Sequence, residues 1–194
     1  LLNPELGKEI LDSLEHDNKR AATIVKSLRS IFTEGESNVQ EVQLGDLIAK
    51  VLDIVKPELK SKNIQIKLRV DDGLVIKVNP AEIEQVILNL VNNAAQALAN
   101  AGTLQRLIAI EAIKAGQLVR LTVSDNGNGV PVEFKSHLFE LLSTTKQTGM
   151  GLGLWLCKHI VTRYSGSIHH EDAIGGGAKF VVEFPPPLIG PMAN

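Results

Sequence analysis

The sequence predicts an α+β protein: a two-layer sandwich of a mixed, mostly antiparallel sheet with helices on one face, preceded by a long coiled-coil-like helix. Three observations carry this prediction. Short runs of alternating apolar residues come in pairs joined by glycine-containing turns, which is the pattern of hairpins. Apolar stripes of helical period fall between those pairs, which adds a helical layer. The N-terminal stretch repeats its apolar residues in heptads, the signature of a helix that packs along another helix. No Gly-x-Gly-x-x-Gly follows a first strand into a helix, so a parallel dinucleotide-binding sheet is disfavoured.

The elements follow in order. From Pro4 to Phe32, the residues Ile10, Leu14, Asp17, Ala21, Ile24, Leu28 and Ile31 recur at steps of four and three. Asn3 suits the N-cap and Pro4 the first turn. Such a helix cannot bury its seam alone, so it is expected to pair with another chain or another helix. Thr33 to Asn38 reads as a linker, with Gly35 just past the helix end. Gly45 to Ser61 is amphipathic and helical. Ile64, Ile66, Leu68 and Val70 then alternate with polar residues as a half-buried strand. Asp71-Asp72-Gly73 reads as a hairpin turn into a second strand, Leu74 to Val78.

Asn79-Pro80-Ala81-Glu82 is a strong helix start, with Asn as cap, Pro at the first position and Glu three residues after the cap. That helix is expected to reach about Asn100. Leu107 to Ile113 and Leu118 to Ser124 form a hairpin around Ala115-Gly116. A glycine-rich, irregular region runs from Asp125 to Gly151. Leu152 to Tyr164 is helical, and Ser167 to Glu171 pairs with Ala178 to Phe184 across Gly175-Gly176-Gly177. The tail from Pro185 is expected to be extended.

Composition limits the functions. Hydrophobic residues make up 44% of the 194 positions, enough to build a core. A net charge of −2 argues against nucleic-acid or anionic-membrane binding by bulk electrostatics. The single cysteine, Cys157, excludes an intramolecular disulfide framework and a cysteine-rich zinc site, and fits a reducing, cytoplasmic setting. No run reaches the roughly 18 apolar residues of a membrane span. The chain opens at Leu1, almost directly in helical periodicity, as expected of a piece of a longer protein whose membrane topology this chain leaves open.

Three places could carry chemistry. On the helix from Pro80, one stripe is apolar, while Gln85, Asn89, Asn93 and Gln96 fall on another face. Asparagine costs about 0.6 kcal/mol against Ala in a helix, so the cluster Asn89, Asn92 and Asn93 needs a reason. It is either a solvated face or a source of amide oxygens for a hard cation such as Mg²⁺. Asp125-Asn126-Gly127-Asn128-Gly129 follows a strand directly. Its glycines allow close backbone approach to a flat ligand, and Asp125 can accept from an exocyclic amine; an ordinary turn is the alternative. Gly149-Met150-Gly151-Leu152-Gly153-Leu154 opens a helix whose unpaired N–H groups suit phosphate, with Lys146 upstream as a cation; a flexible loop is the plain alternative.

Taken in order, these segments resemble the ATP-binding domain of bacterial sensor histidine kinases, within the gyrase/Hsp90/histidine kinase/MutL superfamily. Glu84 to Ala94 is similar to its Asn-box, and Asp125 to Gly129 to its first Gly-box. Leu138-Phe139-Glu140 with Thr144-Thr145-Lys146 resembles the Phe-box, and Gly149 to Leu154 the second Gly-box. The resemblance covers roughly Val42 to Phe184 and implies a Bergerat-type ATP-binding fold.

It implies roles as well. Asn93 would ligate Mg²⁺, Asp125 would hold the adenine amine, and Gly127 and Gly129 would line the adenine pocket. Gly149, Gly151 and Gly153, with Leu154, would close a lid over the triphosphate of ATP. ATP-hydrolysing members carry a glutamate base where this chain has Asn89, the candidate catalytic position. An amide cannot deprotonate water, so transfer to a protein side chain is favoured over hydrolysis. Gln96 stands where many kinases have a phosphate-contacting Lys, which leaves that role to Lys146. Leu141-Leu142-Ser143 replaces the usual Pro-Phe-Phe, the segment between Lys146 and Gly149 is short, and Ala178 stands where a Thr often supports the adenine.

By the same resemblance the chain divides into 1–34, the second helix of a dimerisation and phosphoacceptor hairpin; 39–185, the catalytic domain; and 186–194, a tail. The acceptor histidine is expected on a preceding helix outside this chain. Of the five histidines, His16 is followed by Asp17 but by no Pro. His137, His159, His169 and His170 fall in the catalytic domain, and the last two alternate faces of a strand. The implied partners are a response regulator receiver domain and a second copy, joined through the N-terminal helix. Three rivals stay open: an ATP-hydrolysing member of the superfamily, a non-catalytic dimerising scaffold, and a serine kinase of the anti-sigma type, for which the heptad helix would be superfluous.

Overall fold

The computed structural model describes residues 38–141 and 151–187, together with Gly7, Lys8, Leu11, Leu14 and Asn18. Those five N-terminal residues are helical, and Leu11 and Leu14 are exposed. The remaining residues expected in the heptad helix, His16 among them, lie outside the described residues.

A five-stranded sheet organises the domain. Its strands are β2 (Ile64–Val70), β4 (Arg106–Ala115), β5 (Leu118–Asp125), β6 (Ser167–Asp172) and β7 (Ala178–Phe184), in the order β2-β4-β5-β7-β6. β2 runs parallel to β4, and the other three pairings are antiparallel. The mixed, mostly antiparallel sheet read from the sequence is therefore present. A separate two-stranded sheet joins β1 (Gln40–Gln43) to β3 (Val75–Val78).

That second sheet corrects one expectation. β2 and β3 do not form a hairpin. Asp71-Asp72-Gly73 turns the chain, with Gly73 at φ +70°, but β3 leaves the main sheet to pair with β1. Leu74, Ile76 and Val78 are all buried, whereas Leu68 of β2 stays half-exposed. The alternation correctly marks which side chains face inward. It carries no information on which backbone they pair with, because period two is common to every strand in a half-buried sheet.

The helices α1 (Leu44–Ser61), α2 (Pro80–Asn100) and α4 (Gly153–Arg163) pack on one face, with a short α3 (Val132–Lys135) in the loop after β5. α2 is the central helix. Its stripe of Ile83, Val86, Ile87, Leu90, Val91, Ala94 and Leu98 is buried against Ile108, Ile110, Leu121 and Val123 of the sheet and against α1 and α4. The α2 start forms as expected, with Asn79 Oδ1 accepting from Ala81 N at 3.0 Å. Glu82 does not close a capping box. Its carboxylate instead accepts from Arg163 Nη1 at 2.6 Å and from the Tyr164 hydroxyl, tying the end of α4 to the start of α2. Burial and this carboxylate push the Tyr164 phenol up to about 12.

Candidate functional site

The site lies where the polar face of α2, the end of β5 and the start of α4 meet. Gln85, Asn89 and Asn93 are half-buried there, one helical turn apart, while Gln96 is exposed. Gln85 Nε2 donates to Asn89 Oδ1 at 3.0 Å, and Asn89 Nδ2 reaches the Gly153 carbonyl at 3.4 Å and Cys157 Sγ at 3.8 Å. The first residue of α4 thus rests on Asn89.

At the other end, Asp125 closes β5 and is only 5% exposed as a residue. Its Oδ1 accepts from Gly127 N at 2.9 Å and from Ala178 N at 3.4 Å. Asn126 acts as a strand-like clamp. Its Oδ1 accepts from Leu107 N at 2.8 Å and its Nδ2 donates to Gln105 O at 2.7 Å, so the loop leaves the sheet from a fixed point. Gly127 is packed tightly: a Cβ there would stand 2.9 Å from Asp125 Oδ1 and 3.4 Å from the Ala97 carbonyl carbon, so a side chain would displace the carboxylate. The loop therefore lies directly on α2 at Ala97. Gly129, at φ +73°, is pressed on the Gly177 carbonyl in the same way.

These contacts measure the cleft. Asn89 marks the α4 end, Ala97 the Asp125 end, and Asn93 stands midway; residues 89–97 rise about 12 Å along the helix. A flat group against Asp125 and Gly127 and an anion near Gly153 would both lie along one side of α2, with Asn93 between them.

The start of α4 suits an anion. Gly151 is left-handed, at φ +64°, and Leu152 as N-cap offers no side chain to the first turn. The first bond of the helix runs from Leu156 N to Leu152 O, so the N–H groups of Gly153, Leu154 and Trp155 have no intrahelical acceptor. Lys146 and Gly149, the other residues expected here, lie outside the described residues, as do Thr144 and Thr145.

Two elements of this geometry were not assigned from the sequence. Gly177 sits on the backbone of Asp125 and Asn126 at φ +89°; the run Gly175-Gly176-Gly177 was the available signal, and it reads equally well as a plain turn. Gln85 bonds to Asn89, which only its spacing of four hinted at.

The four described histidines have other neighbours. His137 is exposed beside Glu140, His159 stacks on Trp155, and His169 pairs with Glu171. His170 points to the other side of β6, against Phe180, and burial lowers its pKa. Cys157 is fully buried, and burial pushes its thiol up to about 12, which suits a core residue and not a nucleophile. No cluster of His, Cys, Asp or Glu able to hold a metal occurs among the described residues, and no described helix is long and apolar enough to cross a membrane.

Residues 78–188, more than half of the chain, match the family described as "Histidine kinase-, DNA gyrase B-, and HSP90-like ATPase". The sensor protein FixL of Bradyrhizobium diazoefficiens is 30% identical over 176 residues, which cover 90% of this chain and 35% of that protein. The curated relatives considered exceed this chain in length: it spans 19–38% of four of them. Among solved structures, the catalytic domain of histidine kinase ThkA superposes with a TM-score of 0.68 at 30% identity, over 76% of this chain and 95% of that one. ThkA in complex with the response regulator protein TrrA gives 0.78 at 27% identity, over 95% of this chain and 53% of that one.

Proposed function

The chain belongs to the histidine kinase-, DNA gyrase B- and HSP90-like ATPase family and carries the catalytic domain of a histidine kinase; on that premise we propose that it binds Mg-ATP along α2 and presents the γ-phosphate to a histidine outside this chain. The observation that carries the reading is the cleft itself. A nearly buried residue, Asp125, and a glycine packed against its carboxylate, Gly127, stand at one end, the first-turn N–H groups of α4, which have no intrahelical acceptor, at the other, and Asn93 between.

Each residue has a physical task. Asp125 accepts from the adenine amine, and Gly127 and Gly129 let the backbone approach the ring. The first turn of α4, Gly153 and Leu154 included, supports phosphate oxygens with its N–H groups and dipole. Gly151 lets the chain turn into that helix, and Lys146 supplies a cation to the phosphates.

The donor set also fits magnesium. One amide oxygen from Asn93, with no cluster of acidic or sulfur ligands among the described residues, suits a hard ion that keeps waters and takes the rest of its shell from phosphate. When bound, Mg²⁺ would spread the charge of the transferring phosphoryl group. Catalysis by the domain is then positioning and electrostatic support.

Hydrolysis is the less favoured reading. Asn89 offers no base, and its amide is engaged by Gln85 and Gly153. The glutamates of α2 are occupied elsewhere, Glu82 by Arg163 and Tyr164 and Glu84 by Lys50. Water therefore lacks a proton acceptor on this helix.

The reading places the domain in the cytoplasm, with a response regulator receiver domain as the phosphate's next acceptor, as the ThkA complex supports. It pairs two copies through the heptad of residues 1–34, whose Leu14 is 60% exposed in the single chain.

Calorimetric titration of Mg-ATP tests the proposal, with Asp125→Asn and Asn93→Ala beside the unmodified chain. Saturable binding weakened by both changes is expected. A folded chain that does not bind would overturn it and favour a non-catalytic scaffold.

A further inference from the structure

We propose that Gln85 is a positioning residue: it sets the direction of the Asn89 amide and, through it, holds the first turn of α4 against α2. The inference rests on reading the cleft as a nucleotide site and concerns what keeps its phosphate end in shape.

The argument follows hydrogen-bond polarity. The Gly153 carbonyl can only accept, so the group facing it at 3.4 Å must be the amide nitrogen of Asn89. The Asn89 oxygen therefore points the other way along the helix, toward Gln85. An oxygen there needs a donor, and Gln85 Nε2 supplies it at 3.0 Å. Remove that donor and the amide is held in its present sense only by the longer contacts of its nitrogen, to the Gly153 carbonyl at 3.4 Å and to Cys157 Sγ at 3.8 Å. Turned over, Asn89 would present its oxygen to the Gly153 carbonyl, two acceptors face to face.

Gln85 acts at a distance from the ligand. It lies one turn from Asn89 on the side away from Asn93, about 6 Å further along the helix axis. Its effect on phosphate is carried by where Gly153 sits, since that residue begins the turn whose N–H groups have no intrahelical acceptor. The buried Cys157 completes the arrangement: its Sγ lies 3.8 Å from Asn89 Nδ2 and 3.8 Å from the Val86 carbonyl. The thiol hydrogen can go to Val86, leaving the sulfur lone pairs to Asn89.

A double-mutant cycle on the whole chain tests this, with Gln85→Met, Asn89→Ala and both together. Mg-ATP affinity is read by calorimetry, adenosine affinity by ligand-observed NMR, and exchange of the Leu156 amide, which bonds to Leu152, in the nucleotide-free protein. Gln85→Met is expected to weaken Mg-ATP and speed Leu156 exchange by about ten-fold each, the scale of one lost hydrogen bond. Adenosine affinity should stay unchanged, and the substitution should add nothing once residue 89 is Ala. Equal losses for adenosine and Mg-ATP would mark a general structural effect and overturn the inference. So would the same fold-change in the Asn89→Ala background, or no change in exchange. If the unmodified chain does not bind Mg-ATP, the nucleotide reading fails by itself, and the exchange cycle still decides whether Gln85 acts through Asn89.

Discussion

Gly177 rests on the main chain of Asp125 so closely that a Cβ at position 177 would stand 2.0 Å from the Asp125 carbonyl oxygen. The β6–β7 loop thereby forms one wall of the site on which the carboxylate sits. Ala178, the next residue, donates its N–H to Asp125 Oδ1.

Gly177→Ala is therefore expected to be severe. The added methyl meets backbone, which cannot rotate away, and φ is +89°. Gly175, at φ +87° but with nothing within 4 Å, is the control: its substitution carries only the left-handed strain of about 1–2 kcal/mol. Urea denaturation should show a larger loss for Gly177→Ala, and nucleotide affinity should fall with that variant alone.

Asn126→Ala removes the acceptor of Leu107 N and the donor to Gln105 O together. A loss of about 1–3 kcal/mol is expected from the stranded backbone groups. Thermal unfolding checks the magnitude. Hydrogen exchange should place the loosening at the start of β4 and in the Gly127–Gly129 loop.

His170 predicts a pH dependence. Burial against Phe180 lowers its pKa from 6.5, and its Nε2 is buried without a hydrogen-bond partner among the described residues. Asp172, Asp125 and Glu171 favour its charge and Lys135 opposes it, yet burial dominates. A lowered histidine pKa means that the unfolded chain takes up the proton first as pH falls. Stability should thus decline on acidification from about 6.5 until the folded pKa is reached, then level off as far as this group is concerned. Asp172 and Glu171, whose pKa values are lowered by Lys135 and Lys179, add a separate loss in the more acidic carboxylate range. His170→Leu should flatten the first window and leave the second. An unchanged slope near pH 6 would show that His170 is not its source.

Cys157 should resist alkylation in the native state. Burial holds its thiol at about 12, so almost no thiolate forms at pH 8. Labelling by iodoacetamide should track global unfolding across a denaturant series; labelling at zero denaturant at the rate of an exposed thiol would contradict the packing around α4.

Much was legible along the chain because the signals are local. The stripe on α2 follows from helical period, and its start from Asn79 and Pro80. The β4–β5 turn follows from Gly116, which is left-handed at φ +64°. The candidate boxes rest on local signals too, since close backbone approach admits only glycine and Asp125 is a carboxylate at a strand end. Each of these depends on residues within a few positions of one another.

Pairing and partnership were not legible in that way. The strand from Ile64 took a parallel neighbour more than thirty residues away, Arg106–Ala112, and Leu74–Val78 found β1. Glu82, placed as a cap, became the anchor of α4. Gly177 and Gln85 acquired their tasks only when loops and helices distant in sequence closed on Asp125 and Asn89. Sequence by itself determined the elements, the inward faces and the types of group available for nucleotide chemistry, because those follow from backbone geometry and side-chain polarity. Only the tertiary structure decided which strands share hydrogen bonds and which amide holds which carbonyl, because those depend on long-range closure, where many pairings satisfy the same local pattern and core packing selects one.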